Sequence, residues 1–118
     1  MDEQIAERHV IQRTGDKDLV FTGEMLADVE GVHIDELAHV RIYQTAAGRL
    51  VAAVLIASIG TSHATAAVLD SPAELTTWLC ERAGDQLAKR ALREAGFVVT
   101  DEDLVPSVGS WVYAYETQ

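Results

Sequence analysis

The sequence predicts an α+β fold, in which an antiparallel β-meander sheet of about five or six strands carries C-terminal-half helices packed on one face. Three observations support this prediction. Residues 37–69 form apolar segments divided by glycine, residues 71–95 begin with a helix cap and continue at helical spacing, and residues 107–115 again have strand composition. A chain of 118 residues has the usual length of one domain, which is predicted to span residues 1–118.

Strands are predicted within residues 8–69, after a loose terminus at residues 1–7. The polar segment Thr14-Gly15-Asp16-Lys17 has the composition of a turn. The segments on either side of this turn are therefore expected to pair as a hairpin. Gly23, inside the second segment, is predicted to mark a β-bulge.

The meander is predicted to contain strands at residues 37–45, 49–59 and 62–69, with Gly48 and Gly60 at the bends because glycine reaches positive φ without steric cost. The middle strand is apolar at both odd and even positions, so both of its faces are expected to be covered. Helices would cover one face. A second sheet, the N-terminal strands or a second copy of the chain would cover the other.

A membrane span is the competing interpretation of Leu50 to Leu69, which has no formal charge over about twenty residues. Its middle contains polar and small residues, where a span should be most apolar: Ser58, Gly60, Thr61, Ser62, His63 and Thr65. These residues favour a turn between two strands.

The helical segment has the clearest local signals. Ser71-Pro72-Ala73-Glu74 fits a capping box, in which the serine oxygen accepts from the N–H of Glu74 and the glutamate reaches back to the cap. Gly84 is expected to break or kink the run. Gly96 is expected to end it, with Phe97 supplying the hydrophobic contact that often follows such a stop.

The predicted terminal strand, residues 107–115, has Trp111, Tyr113 and Tyr115 on one face. We expect it to pair back on the sheet. Aromatic side chains on such a strand are expected to anchor a core or an interface.

The formal net charge of −10 is the most unusual bulk property. An acidic surface repels phosphate backbones and anionic lipids, so direct binding to nucleic acid or membrane is not expected. A basic protein partner is compatible with this charge. Solubility alone is the alternative explanation.

The densest group of acidic residues without an intervening lysine or arginine lies between the first hairpin and the meander. It is the predicted partner-binding set: Glu24, Asp28, Glu30, Asp35 and Glu36. The alternative is a solvated sheet edge whose charges discourage strand-to-strand aggregation.

Residues that could support catalysis or metal binding are few. His33, Asp35, His39 and His63 do not show the helical i, i+4 spacing of a zinc motif, so no metal is predicted. A single cysteine, Cys80, excludes an internal disulfide and a zinc site built from cysteines, and is predicted to be a buried thiol.

No nucleophile elbow, dinucleotide-binding glycine motif, P-loop or EF-hand spacing occurs, and Asp101, Glu102 and Asp103 are predicted to start a short helix. No cofactor is predicted. The charged first ten residues do not resemble a signal peptide, so the cytoplasm is the expected compartment.

Two segments resemble small uncharacterised bacterial proteins of plasmids and integrated elements. They are F-x-G-x-x-L-A at residues 21–27, and E-L followed by Y-x-T-x-x-G-R-x-V at residues 36–51. The resemblance covers about thirty residues and implies a mobile-element origin. In size and charge such proteins are similar to anti-CRISPR proteins, which commonly occupy basic nucleic-acid-binding surfaces.

The predicted function is therefore a non-enzymatic acidic domain that binds a basic protein partner, with a mobile-element inhibitor of host defence as its sharpest form. One alternative is a self-associating structural or accessory domain, which would bury the second sheet face in a homodimer. The other is a small enzyme, which a pocket containing two of His33, His39 and His63 would favour.

Overall fold

The computed structural model describes residues 7–33 and 36–97. These residues form five strands and two helices in the order β1 (Glu7–Ile11), β2 (Leu19–His33), β3 (Glu36–Thr45), β4 (Leu50–Ser58), β5 (Thr61–Leu69), α1 (Pro72–Ala83) and α2 (Asp85–Glu94). The strands make one antiparallel sheet in sequence order, and both helices follow it in the chain. The predicted α+β class, with a meander sheet and helices packed on it, is confirmed. The predicted terminal strand at residues 107–115 lies outside the described residues.

The meander turns at glycine, as predicted. Gly48 and Gly60 have φ values of 91° and 82°, in the left-handed region that favours glycine. The uncharged stretch Leu50 to Leu69 therefore forms β4 and β5, joined at Ile59 and Gly60. In the described part of the chain, neither helix has the length and apolarity that a membrane crossing requires.

The irregularity in β2 differs from the prediction. The register between β2 and β3 shifts between Met25 and Ala27, whereas Gly23 pairs regularly with both Glu7 and Thr45. Gly23 is needed for a different reason. A Cβ atom at this position would lie 2.2 Å from the carbonyl oxygen of Gln44, so only glycine permits this approach of the two backbones.

Both helices begin and end close to the predicted positions. The N–H of Glu74 donates to the Ser71 hydroxyl (3.2 Å), but the Glu74 carboxylate accepts from the N–H of Asp70 (3.0 Å) instead of from the cap residue itself. Gly84, at φ 85°, separates α1 from α2. The chain leaves α2 through Gly96 at φ 96°, where the Phe97 N–H donates to the Leu92 carbonyl (2.9 Å) in a Schellman-type stop.

The main core lies between the helices and the even-numbered side chains of β3 and β4. The largest fully buried side chains in it are Ile42, Leu75, Leu79, Leu92, Val40 and Val54. Each buried aliphatic side chain of this size stabilises the fold by about 1.5–3 kcal/mol. Helix packing therefore covers one face of the apolar middle strand, as expected.

The opposite face of the sheet is concave, because the sheet curls until the segment after β1 meets β5. The Thr14 N–H donates to the Ala64 carbonyl (2.9 Å), and the Ala64 N–H donates to the Thr14 hydroxyl (2.8 Å). Under this curl Tyr43 and Val51 are only 2% and 0% exposed, although both point away from the helices. Of the three covers considered for this face, the N-terminal strands are the one that the described residues show.

Candidate functional site

The concave face has an apolar end that is filled by aromatic rings. Tyr43 packs against His9 and Phe21, with ring centroids 4.8 and 5.1 Å apart. His9 Nε2 is also 3.1 Å from the carbonyl oxygen of Gly23. His9 is therefore held inside a small second core, where its ring takes part in packing.

Charged side chains occupy the next rows of the concave face. β2 supplies Asp28 and Glu30, which face Arg41 and His39 across the β2–β3 pairing. His39 Nε2 hydrogen-bonds to Asp28, and His39 Nδ1 lies 3.9 Å from the Glu30 carboxylate. The Arg41 Nε lies 3.7 Å from the other oxygen of Asp28, which orients the guanidinium without a direct hydrogen bond.

A cleft of about 410 Å³ opens beside this cluster. Its walls come from the end of β1, from β3 and β4, and from Ala64 and Thr65 of β5. His39 and Arg41 line it together with the aliphatic side chains of Ile11 and Leu55. The curl that joins Thr14 to Ala64 is what brings β1 opposite β4 and so forms this cleft.

The far end of the concave face is apolar and exposed. Val32, Leu37 and Leu55 are 82%, 42% and 40% exposed. Val32 pairs with Leu37 in register, and Leu55 pairs with His39 in the adjoining row. We call the surface formed by Glu30, Val32, Leu37 and Leu55 the open end.

The structure separates the five acidic residues of the predicted partner-binding set. Asp28 and Glu30 lie on the concave face, whereas the strand pairing places Glu24 and Glu36 on the opposite face of the sheet. Asp35 lies outside the described residues. Partner binding by this set stays a prediction, and Asp28 and Glu30 are the two members that share a face.

The net charge is distributed unevenly along the chain. All nine lysine and arginine residues, but only 12 of the 19 acidic residues, fall within residues 7–33 and 36–97. Several of these acids are paired with a cation, as in Arg49 Nη2 to Asp70 Oδ1 at 2.7 Å. The described fold is therefore only mildly acidic, because most of the excess negative charge belongs to residues outside it.

The histidines of the predicted metal alternative do not converge. His63 has the parity of the helix-covered face, opposite to that of His39. Among the residues that the structure describes, no group of three or more histidine, cysteine, aspartate and glutamate side chains could hold a metal ion. The cleft contains one described histidine, His39, and no serine or cysteine among the described residues hydrogen-bonds to it.

Cys80 is buried in α1. Burial, and then the negative charge of Asp85, raise the pKa of its thiol to about 12. A thiol that stays protonated at neutral pH is a poor nucleophile, so the side chain is suited to packing.

We expect Cys80 in the folded protein to react slowly with a thiol reagent at pH 8 and completely after unfolding in urea. Because the folded pKa exceeds the unfolded value of about 8.5, the unfolded state loses this proton first as the pH rises. The thiol should therefore lower stability between about pH 8.5 and 12, by at most about 1.4 kcal/mol per pH unit. Urea titrations of the wild type and Cys80→Ala check this slope, and rapid native-state labelling at pH 8 would contradict the burial.

Arg41 was not among the predicted site residues, and His39 was considered only for a metal set or an enzyme pocket. In the sequence, His39 and Arg41 occupy alternate positions of a predicted strand. The apolar residues Val40 and Ile42 occupy the other positions. Such alternation indicates that one face of the strand meets water or a ligand. The identity of their partners depends on the β2–β3 register.

The fold and the concave face define an α+β protein whose curled antiparallel sheet has helices on its convex side and a partly open cleft on the other. No family model, curated protein or solved structure matches this chain. The resemblance to plasmid-borne bacterial proteins stays a prediction. The concave face itself is therefore the basis for proposing a function.

Proposed function

We propose that this protein is a non-enzymatic protein-binding domain that holds its partner on the open end of the concave face. The observation that supports the proposal is the exposure of Val32, Leu37 and Leu55 beside Glu30 on one sheet face. Apolar side chains grouped beside charged ones are typical of protein interaction surfaces. Apolar contact would supply most of the affinity.

The partner is proposed to be basic. The chain carries a net charge of −10, which steers a positively charged surface toward it and repels anionic ones. Within the open end, the Glu30 side chain is 60% exposed and stays 3.9 Å from His39. Glu30 can therefore accept a lysine or arginine from a partner.

The partner is not expected to add as a strand beside the free part of β2 or beside β5. On the outer edge of β2, the Asp28 N–H donates to Glu94 (3.2 Å) and Arg90 donates to the Glu30 carbonyl (3.0 Å). On β5, Thr14 satisfies both backbone groups of Ala64. These contacts occupy backbone N–H and C=O groups with which an added strand would have to pair.

The specific form of the proposal is a mobile-element inhibitor that occupies a basic nucleic-acid-binding surface of a host defence complex, as anti-CRISPR proteins do. It is supported by the net charge and by the resemblance of residues 21–27 and 36–51. In this form, a stoichiometric amount of the protein should prevent its partner from binding nucleic acid. Simultaneous binding of the protein and the nucleic acid would contradict it.

The general proposal is tested by capturing partners from the source cells and then measuring affinity with the purified partner. We expect Glu30→Lys and Val32→Asp each to weaken binding at least about tenfold, since central interface residues commonly contribute more than 1.4 kcal/mol. The matched controls are Glu81→Lys on α1 and Val20→Asp, whose side chain is 49% exposed away from the open end. Equal affinities for all four variants would reject this surface.

A homodimer is the second candidate, and the mixture of Asp28, Glu30, His39 and Arg41 on one face favours it. A surface that carries both signs of charge can match a second copy of itself across a two-fold axis. Light scattering separates the two candidates. A dimer at micromolar concentration that Leu37→Asp converts to a monomer supports the homodimer, and a monomeric wild type argues against it.

A further inference from the structure

We infer that the cleft beside Arg41 is a binding site for a small amphipathic monocarboxylate, such as a medium-chain fatty acid. This cleft adjoins the open end and shares Leu55 with it. It does not depend on the proposed protein partner.

The composition of the cleft suits a hydrocarbon chain. Its walls are largely aliphatic, with Val10, Ile11, Ala53, Leu55 and Ala64 among the lining residues. Its volume of about 410 Å³ lies within the range of small-molecule sites. Such walls accept an unbranched hydrocarbon chain.

The charge of the lining residues suits an anion. Arg41 and His39 are the two described lining residues that can carry positive charge, and none of the described lining residues is acidic. Asp28 and Glu30 contact these cations from the side, outside the lining. The cleft therefore offers a cation at one end of an aliphatic surface, which is the arrangement that an amphipathic anion needs.

Arg41 has an unsatisfied hydrogen-bond donor. The Nε atom of Arg41 is buried and has no hydrogen-bond partner within the described residues, since the nearest Asp28 oxygen is 3.7 Å away. Buried donors without partners are uncommon and call for an explanation. Arg41 also lines the cleft and its side chain is 43% exposed, so a carboxylate in the cleft can accept from the terminal nitrogens of the guanidinium.

A carboxylate fits this site better than a phosphate. One guanidinium matches one planar carboxylate in a bidentate pair. The neighbouring Asp28 and Glu30 would repel a second negative charge. The same repulsion predicts that Asp28→Asn strengthens binding of a monocarboxylate.

The test is isothermal titration of the purified full chain with octanoate, in parallel with octylamine and 1-octanol, which keep the hydrocarbon chain but change its head group. We expect saturable binding of octanoate and at least tenfold weaker binding of the two analogues. We expect Arg41→Met to weaken octanoate binding at least tenfold, Arg41→Lys to weaken it less, and Asp28→Asn to strengthen it several-fold.

Arg49→Met is the matched control, because Arg49 pairs with Asp70 away from the cleft, and it should bind octanoate like the wild type. Thermal melts of each variant confirm that it is folded. The inference is overturned by absent octanoate binding at millimolar concentration, by equal affinity for octylamine or 1-octanol, or by wild-type affinity in folded Arg41→Met. Because Val32 belongs to the open end but does not line the cleft, Val32→Asp should weaken the protein partner and leave octanoate binding unchanged, so the two proposals can fail independently.

Discussion

Leu79→Ala is expected to lower the free energy of unfolding by about 2–5 kcal/mol, which is the usual cost of truncating a fully buried leucine. Leu79 is 0% exposed in α1 and belongs to the core that joins both helices to the sheet. Neighbouring side chains cannot collapse fully into the vacated space, so lost burial and a residual cavity both contribute. Urea unfolding followed by circular dichroism measures the change.

Leu37→Ala is the matched control, because it removes the same atoms from a side chain that is 42% exposed at the open end. Its expected cost is below about 1 kcal/mol. If Leu79→Ala lowered the free energy of unfolding no more than Leu37→Ala does, the packing of α1 on the sheet described above would be contradicted.

Gly23→Ala is expected to destabilise the protein by roughly 3 kcal/mol, at the upper end of the range for overpacking. The added Cβ would lie 2.2 Å from the Gln44 carbonyl oxygen and 2.8 Å from the Cα of Thr45. Both are backbone atoms, so the contact can be relieved only by opening the pairing of β2 with β3. Because Gly23 also pairs with Glu7 in β1, the change should loosen the N-terminal hairpin as well.

Gly31→Ala, in the same strand, is the appropriate control. The three atoms nearest to its Cβ would be side-chain carbons of Leu87, the first at 3.2 Å, and not backbone atoms. A flexible side chain can move, so we expect a change within about 1 kcal/mol. Hydrogen exchange of the β1 and β2 amides would show the difference, and similar protection in both variants would contradict the close approach at Gly23.

The local elements were predictable because their signals lie within a few residues of each other. The Ser71 cap, the break at Gly84 and the stop at Gly96 are found where the sequence predicted them. The same is true of the turns at Gly48 and Gly60. In each case a cap side chain or a positive φ imposes a requirement that few residue types meet.

The predictions that differed from the structure concern contacts between strands. Gly23 was assigned to a bulge, because an isolated glycine in a strand has two common explanations that a single strand cannot separate. The Glu74 carboxylate accepts from the Asp70 N–H instead of from the Ser71 N–H. The acidic set was treated as one surface, but strand parity places Glu24 and Glu36 opposite to Asp28 and Glu30.

The candidate site combines residues that are distant in the sequence. Asp28 meets Arg41 and His39 only because of the β2–β3 register, and Ile11 approaches Leu55 only because the sheet curls. The alternation of polar and apolar residues in β3 indicates only that one face of the strand meets water or a ligand. It could not indicate which carboxylates would orient the two cations, or that a cleft would form beside them.

The sequence by itself determined the class of fold, the order of the strands and helices, and the positions of the main turns and caps, since each depends on hydrophobic periodicity or on the conformational limits of a few adjacent residues. The tertiary structure alone decided the curl of the sheet, which joins Thr14 to Ala64, and with it the cleft and the open end. The physical reason is that curl and register follow from packing many side chains at once across strands, and no short segment of the chain contains that information.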